Sequence, residues 1–138
     1  MSLSHIFHLS DLHIRNGDNT YSRHQEYTNV FNETILSIKH KIYTLNLSSN
    51  HFIIIITGDI FHNKFVIGNY GLLIYRTFIQ SLSLIGRTFI ISGNHDFDQS
   101  DPNKPSLVHS STFDILNVKV LNAFFPLTIL HNSLNKLF

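Results

Sequence analysis

Short hydrophobic runs alternate with longer amphipathic segments along the chain. The hydrophobic runs are residues 6–9, 52–56, 88–91 and 118–121, which are mostly apolar and include many β-branched side chains. Polar residues follow the first three runs directly. Such runs are typical of buried strands. The four consecutive isoleucines at 53–56 suit a central strand that is covered on both faces. The pattern therefore predicts four strands.

The segments between these runs have the three- to four-residue spacing of helices. The first predicted helix begins near Tyr21 and ends at residues 48–50, and its apolar positions are Tyr27, Phe31, Ile35, Ile38, Ile42 and Leu45. The second is expected over residues 70–84, with Leu73, Phe78 and Leu82 facing inward and Gly86 after its end. A third, short helix is expected within residues 106–116. This order predicts an α/β fold, a mainly parallel sheet with helices on both faces.

Composition narrows the kind of site to look for. The 138 residues are 43% hydrophobic and 14% charged, which excludes an intrinsically disordered chain and fits one domain. The formal net charge of +1 neither favours nor excludes nucleic-acid binding. The absence of cysteine excludes disulfides, thiolate zinc sites and cysteine nucleophiles. Ten histidines, as many as lysines and arginines together, point instead to a site of imidazoles and carboxylates.

The chain start has neither a basic region nor a long apolar region, and no apolar run is long enough to cross a bilayer. We expect a soluble intracellular protein, in the cytoplasm or nucleus, without a membrane partner. Residues 1–121 are expected to form the domain portion. Residues 122–138 are apolar and nearly uncharged, and we expect a truncated or divergent tail there.

Three of the predicted strands end in polar clusters. The first is followed by Asp11 and His13, the second by Gly58 and Asp59, and the third by residues 93–96 (Gly-Asn-His-Asp). The carboxyl ends of neighbouring parallel strands meet in one crevice, so we expect these side chains to converge there. Oxygen and imidazole ligands without thiolates suit Mn, Fe or Zn.

Local backbone geometry supports this expectation. Asp11 and His13 alternate along an extended segment and should point to the same side. Gly58 and Gly93 allow the chain to turn sharply at the two strand ends. Each cluster alone also fits an ordinary turn, and Asp-x-His or Gly-Asp is weak evidence for a metal. The prediction rests on all three clusters occurring together, in this order, each after a strand.

The three segments resemble a known family. Residues 8–13 (His-Leu-Ser-Asp-Leu-His), 57–62 (Thr-Gly-Asp-Ile-Phe-His) and 92–96 (Ser-Gly-Asn-His-Asp) are similar to the calcineurin-like metallophosphoesterase superfamily. Residues 23–27 (Arg-His-Gln-Glu-Tyr) and the Asp-Ile-Leu before residue 117 look most like the DNA double-strand-break repair nucleases, the SbcD and meiotic-recombination exonuclease branch. The resemblance covers residues 4–121 and implies the front part of a four-layer α/β/β/α fold.

The resemblance also implies a two-metal centre. Asp11 and His13 would bind the first divalent ion, Asp59 would bridge both ions, and Asn94 would bind the second. In this branch the metal is Mn²⁺, the substrates are DNA ends and the partner is a long coiled-coil ATPase subunit. A homodimer is also compatible with the resemblance.

The implied catalytic residues follow the third strand. His95 would act on the phosphate or leaving-group oxygen, and Asp96 would orient its imidazole. His62 lies close enough to Asp59 in sequence to contact a ligand without binding metal itself.

One part of the family pattern is missing. The family completes its site with a histidine after a further strand and with a Gly-His-x-His motif, and this sequence has neither. His109 is followed by Ser-Ser and His131 by Asn-Ser, and neither histidine follows a glycine. Metal affinity depends on the number of ligands, so we expect weak or absent nuclease activity from this chain alone. Two alternatives to a DNA-repair nuclease stay open: a phosphomonoesterase or nucleotide phosphodiesterase of the same superfamily, and a non-catalytic remnant that binds DNA or a partner protein.

Overall fold

The computed structural model describes residues 3–15, 21–63, 67–93 and 114–121, and also positions 96, 106, 108 and 112. Its helices and strands are β1 (His5–Ser10), α1 (Tyr21–Thr44), β2 (Phe52–Thr57), α2 (Asn69–Ile85), β3 (Thr88–Ile91) and β4 (Val118–Leu121). All four predicted strands and both long helices are confirmed, each within a few residues of its predicted ends.

The four strands form one sheet in the order β1-β2-β3-β4, and every neighbouring pair is parallel. The register aligns their carboxyl ends: Ser10 pairs with Thr57, Thr57 with Ile91, and Ile91 with Leu121. The segments that follow the strands therefore start at the same level along one edge of the sheet. This alignment brings the polar clusters together.

Both long helices pack on the same face of the sheet. The main core combines residues of both helices with alternate residues of β2, among them Phe31, Tyr75 and Ile54. The opposite face carries a separate buried cluster, Ile53, Phe89 and Leu121, which includes no residue of either helix. The α/β class is confirmed, but the described helices lie on one face rather than on both. Right-handed connections that advance in one direction across a parallel sheet place successive helices on the same side.

One residue of helix α2, Leu73, is exposed where the sequence predicted that it is buried. Phe78 and Leu82 are buried as predicted, whereas Leu73 is 60% exposed. The buried face runs through Gly71 and Tyr75, with a spacing of three to four residues to Phe78 and Leu82, and Leu73 falls between these rows. The prediction that Leu73 faces inward was therefore wrong.

The third predicted helix is described at two helical positions, Val108 and Thr112, where the threonine hydroxyl donates to the valine carbonyl. Close by, Asp114 forms a bidentate ion pair with Arg76 of α2, at 3.0 Å for both contacts. Hydrogen bonds from the Arg76 guanidinium hold the pKa of Asp114 below its ordinary value. This pair connects α2 to the segment before β4.

The sequence also led to expectations about the domain boundary at residue 121 and about membrane-spanning segments. Residues 122–138 lie outside the described residues, so the division of the chain at residue 121 stays a prediction. Among the described residues, neither helix combines the length and apolar character needed to cross a bilayer.

Candidate metal centre

Asp11, His13 and Asp59, which we call the Asp–His–Asp trio, lie together just beyond β1 and β2. One ligand atom from each of the three side chains lies within 4.8 Å of the others. His13 Nε2 is 3.7 Å from Asp11 Oδ1 and 4.0 Å from Asp59 Oδ2. The side chain of Asp11 is 65% exposed, that of His13 40% and that of Asp59 20%, so Asp59 is the most enclosed of the three. The predicted convergence of these three residues is present in the structure.

The backbone of the trio is left-handed. Asp11, His13 and Asp59 have φ values of 53°, 43° and 43°. The expectation of an extended Asp11–His13 segment was therefore wrong, although the two side chains do point to the same place. A left-handed conformation costs a non-glycine residue about 1–2 kcal/mol, and Asp, Asn and His accept it more readily than other types. Strained backbone of this kind concentrates at functional sites.

Backbone hydrogen bonds join the two segments that carry the trio. The His13 N–H donates to the Asp59 carbonyl at 2.9 Å, and the Ile14 N–H donates to the Ile60 carbonyl at the same distance. The His62 N–H returns a bond to the Ile14 carbonyl at 3.1 Å. Parallel pairing thus resumes beyond the ends of β1 and β2, and it fixes the position of His13 relative to Asp59.

Glycine is required for different reasons at Gly58, directly after β2, and at Gly93, just after β3. Gly58 has a φ of 69°, so it provides the sharp turn that was predicted for it. At Gly93 the reason for glycine is close approach. A Cβ there would lie 2.7 Å from the Gly58 Cα and closer still to the backbone nitrogen and carboxylate Oδ1 of Asp59. The segment after β3 therefore packs directly against Asp59.

Asp96 connects the segments after β2 and β3. Its side chain is 4% exposed, and its Oδ1 accepts hydrogen bonds from the backbone N–H groups of Ile60 (2.8 Å) and Phe61 (3.1 Å). Its Oδ2 accepts a third from the Gly93 N–H at 2.8 Å. Burial raises the pKa of Asp96 above the ordinary value, and these three donors oppose that shift. Asp96 thus fixes the backbone directly after Asp59 and the Gly93 backbone that packs against Asp59.

The remaining predicted site residues are placed as follows. His62 is exposed and stands edge-on to His13, with 6.0 Å between the ring centroids, so it borders the trio. Asn94 and His95 lie outside the described residues, and their roles stay predictions. The orienting role of Asp96 toward His95 stays a prediction for the same reason.

A cavity of about 630 Å³ opens beside the trio. Asp11 and His13 line one end of it, and Arg15, Arg23 and Tyr27 line the side formed by the following segment and α1. The site is thus open to a molecule larger than water, and the two arginines share the cavity lining with Asp11 and with one glutamate of α1.

The donor set of the trio fits a divalent cation. Two carboxylates so close together repel each other, and a cation between them removes that repulsion. Carboxylate oxygen and imidazole nitrogen are ligands that Mn, Fe and Zn accept. The partial exposure of all three side chains leaves an entry path.

Comparison with known proteins agrees with this site. The sequence matches the calcineurin-like phosphoesterase family over residues 4–137, and the chain belongs to that family, whose members use divalent metal ions. The predicted superfamily is confirmed, while the SbcD branch stays a prediction. The chain is also similar to a protein of Acanthamoeba polyphaga mimivirus, called uncharacterized protein R555, with 36% identity over 102 residues. That alignment covers 74% of this chain but 7% of the mimivirus protein, so the chain matches a small part of its relative.

Two features of the site were missed from the sequence. Gly93 was assigned a turn, whereas it allows Asp59 and the segment after β3 to touch. Asp96 was considered only in relation to His95, whereas its carboxylate binds backbone N–H groups of both segments. The sequence offers no signal for the second feature, because Asp96 is one polar residue among several in this turn and its burial among backbone donors is set by tertiary packing.

Replacing Gly93 by alanine tests the close approach. The added Cβ would overlap the Asp59 carboxylate and displace it. Loss of groups that orient metal ligands lowers metal affinity about 10- to 100-fold, and we expect the Gly93→Ala chain to bind Mn²⁺ more weakly by a factor in the same range. Isothermal titration of both chains with Mn²⁺ measures this. Gly71→Ala is the matched control, since a Cβ at Gly71 would meet only ordinary contacts of 3.5 Å or more. Unchanged affinity in Gly93→Ala would show that Asp59 is not held against this segment.

Proposed function

We propose that the chain is the metal-binding front part of a phosphoesterase that hydrolyses phosphodiester bonds at DNA ends. The observation that supports this most directly is the meeting of Asp11, His13 and Asp59 at the carboxyl edge of a parallel sheet. They belong to the same three-segment pattern on which the resemblance to DNA-repair nucleases rests. Family membership supports the metal-dependent phosphoesterase class, and the choice of DNA is our proposal.

The residues of the trio would act as metal ligands. Asp11 and His13 would bind one ion, and Asp59, the most enclosed of the three, would lie between two ions. Two divalent ions supply Lewis acidity toward the oxygens of a phosphoryl group. We assign the second ion to Asn94 and transfer of a proton to the leaving oxygen to His95, following the resemblance. Mn²⁺ is the ion that we propose.

The cavity beside the trio supports a substrate with a phosphate backbone. Arg15 is exposed beside His13, and Arg23 lies on the adjacent wall formed by α1. Arginine binds phosphate oxygens through charge-assisted hydrogen bonds. Two arginines next to the metal centre therefore suit the phosphates that flank a scissile bond in a DNA strand. A coiled-coil ATPase subunit is the proposed partner, by resemblance alone.

A second candidate function is metal or DNA binding without cleavage. The specific observation in its favour is that the sequence contains no Gly-His-x-His motif and no other Gly-His pair. Metal ligation would then rest on fewer histidines than the family pattern provides.

Cleavage assays with the whole chain test the proposal and separate the two candidates. The chain and its His95→Ala variant are incubated with Mn²⁺ and one of three substrates: a blunt-ended DNA duplex, the diester bis-p-nitrophenyl phosphate or the monoester p-nitrophenyl phosphate. We expect slow Mn²⁺-dependent hydrolysis by the native chain, with DNA ends preferred, and a further loss in His95→Ala. Equal rates for the two proteins on every substrate, no higher than the rate without protein, would exclude catalysis and leave the binding function. Faster hydrolysis of a phosphomonoester than of either diester would favour a phosphomonoesterase.

A further inference from the structure

Tyr27 of α1 reaches the segment that carries His13. Its hydroxyl donates a hydrogen bond to the His13 carbonyl at 2.9 Å and accepts one from the Arg15 N–H at 3.3 Å. A single oxygen thus joins two backbone groups across residues 13–15. The sequence suggested only an inward-facing position of the helix for Tyr27, and its hydroxyl was not assigned a role.

The tyrosine completes the hydrogen bonding of this segment. The N–H groups of His13 and Ile14 and the carbonyl of Ile14 are paired with the segment after β2. The His13 carbonyl and the Arg15 N–H turn the other way, toward α1, where Tyr27 meets them. Residues 13–15 are therefore fixed from two sides, by the sheet and by one side chain of the helix.

The position of the Tyr27 hydroxyl is set by the core. The Tyr27 ring packs against Phe31, one helical turn further along α1, with 6.0 Å between centroids. Phe31 in turn stacks on Phe78 of α2 at 4.1 Å and an interplanar angle of 13°. Both phenylalanines are less than 10% exposed. These three rings, Tyr27, Phe31 and Phe78, form a packed aromatic row. The row supports the Tyr27 hydroxyl beside the left-handed backbone of His13.

We propose that Tyr27 is a positioning residue for the metal centre, which sets the orientation of the His13 imidazole through the His13 backbone. This proposal rests on the proposed metal-binding function of the trio. Groups that orient a metal-ligating histidine strongly affect metal affinity. The two hydrogen bonds of the hydroxyl, one part-buried and one exposed, contribute in contrast only modestly to the stability of a whole domain. Loss of the hydroxyl should therefore change metal binding much more than folding.

The test compares Tyr27→Phe with Tyr43→Phe, the same chemical change at an 84% exposed position of the same helix. We expect Tyr27→Phe to raise the Kd for Mn²⁺ about 10-fold or more and to alter the visible absorption spectrum of the Co²⁺-loaded chain. Its melting temperature without metal should stay within a few degrees of the native value. Hydrogen exchange at the Arg15 amide, measured by NMR without metal, should become several-fold faster. Tyr43→Phe should change none of these quantities.

A third variant, Phe31→Leu, separates positioning from general packing. It disturbs the packing beside Tyr27 but retains the hydroxyl group and its two backbone partners, so it should lower the melting temperature more than Tyr27→Phe and weaken Mn²⁺ binding less. Equal losses of affinity in both variants would overturn the proposal, as would an unfolded Tyr27→Phe chain or an unchanged Arg15 exchange rate. Absence of Mn²⁺ binding by the native chain would contradict the proposed function instead, while Arg15 exchange would still test the contact made by Tyr27.

Discussion

Replacing Asp59 by asparagine should weaken Mn²⁺ binding by at least about 100-fold, the largest effect that we expect at this site. Loss of a group that merely orients a ligand costs about 10- to 100-fold in affinity, and Asp59 is placed to be a ligand itself. It is also the least exposed member of the trio, at 20%, so its charge is the least screened by water. Asparagine keeps the size of the side chain and removes the charge.

Isothermal titration with Mn²⁺ measures this effect, and Asp114→Asn provides the control. Asp114 is an exposed carboxylate paired with Arg76, outside the trio, and its replacement should leave Mn²⁺ affinity unchanged. Asp11→Asn should have a smaller effect than Asp59→Asn, because Asp11 is 65% exposed. An Asp59→Asn chain that binds Mn²⁺ as tightly as the native chain would show that the trio is not a metal centre.

The Asp96→Ala substitution should lower the free energy of unfolding by about 3 kcal/mol, because each buried donor left without a partner costs about 1–3 kcal/mol. Three backbone N–H groups would lose their acceptor at once. The expected loss of stability stays near the lower end of the sum over the three donors, because removing Asp96 also removes the cost of burying its charge. The raised pKa of Asp96 reflects that cost. Water entering the space left by the carboxylate would also satisfy part of the donors.

Urea unfolding at neutral pH measures this loss, with Asp96→Asn as the matched comparison. Its amide oxygen can still accept from Ile60 and Phe61, but its NH₂ group would face the Gly93 N–H. Asp96→Asn should therefore be less destabilising than Asp96→Ala. A loss below about 1 kcal/mol for Asp96→Ala would mean that the three donors are not dependent on this carboxylate.

The fold was largely predictable because hydrophobic periodicity determines which segments can be strands or helices. The isoleucine run at 53–56 and the spaced apolar positions of α1 identified a strand and a helix without ambiguity. The face on which each helix packs was harder to predict, since it depends on the direction in which successive strands join the sheet. Leu73 shows the same limit on a smaller scale: its spacing fits a helix, but only packing decides which side of the helix is buried.

The residue types of the candidate site were predictable, and its backbone was not. Asp11, His13 and Asp59 were identified from polar residues after strands, and the structure brings them together. Their left-handed conformation had no signal in the sequence, because Asp and His also occur in extended segments. Tyr27 was missed for a related reason. A tyrosine in an amphipathic helix indicates burial, whereas the partner of its hydroxyl depends on a loop that is distant in sequence.

The left-handed backbone of the trio also limits which residues can occupy these positions. Alanine, valine or isoleucine at 11, 13 or 59 would lose a polar group and also strain the chain, so their effects combine two causes. Asparagine tolerates the conformation, and glycine adopts it freely. A library randomised at these three positions and selected only for folding should therefore recover Asp, Asn, His and Gly. The backbone would thus keep a polar pocket at this edge of the sheet even in the absence of selection for metal binding.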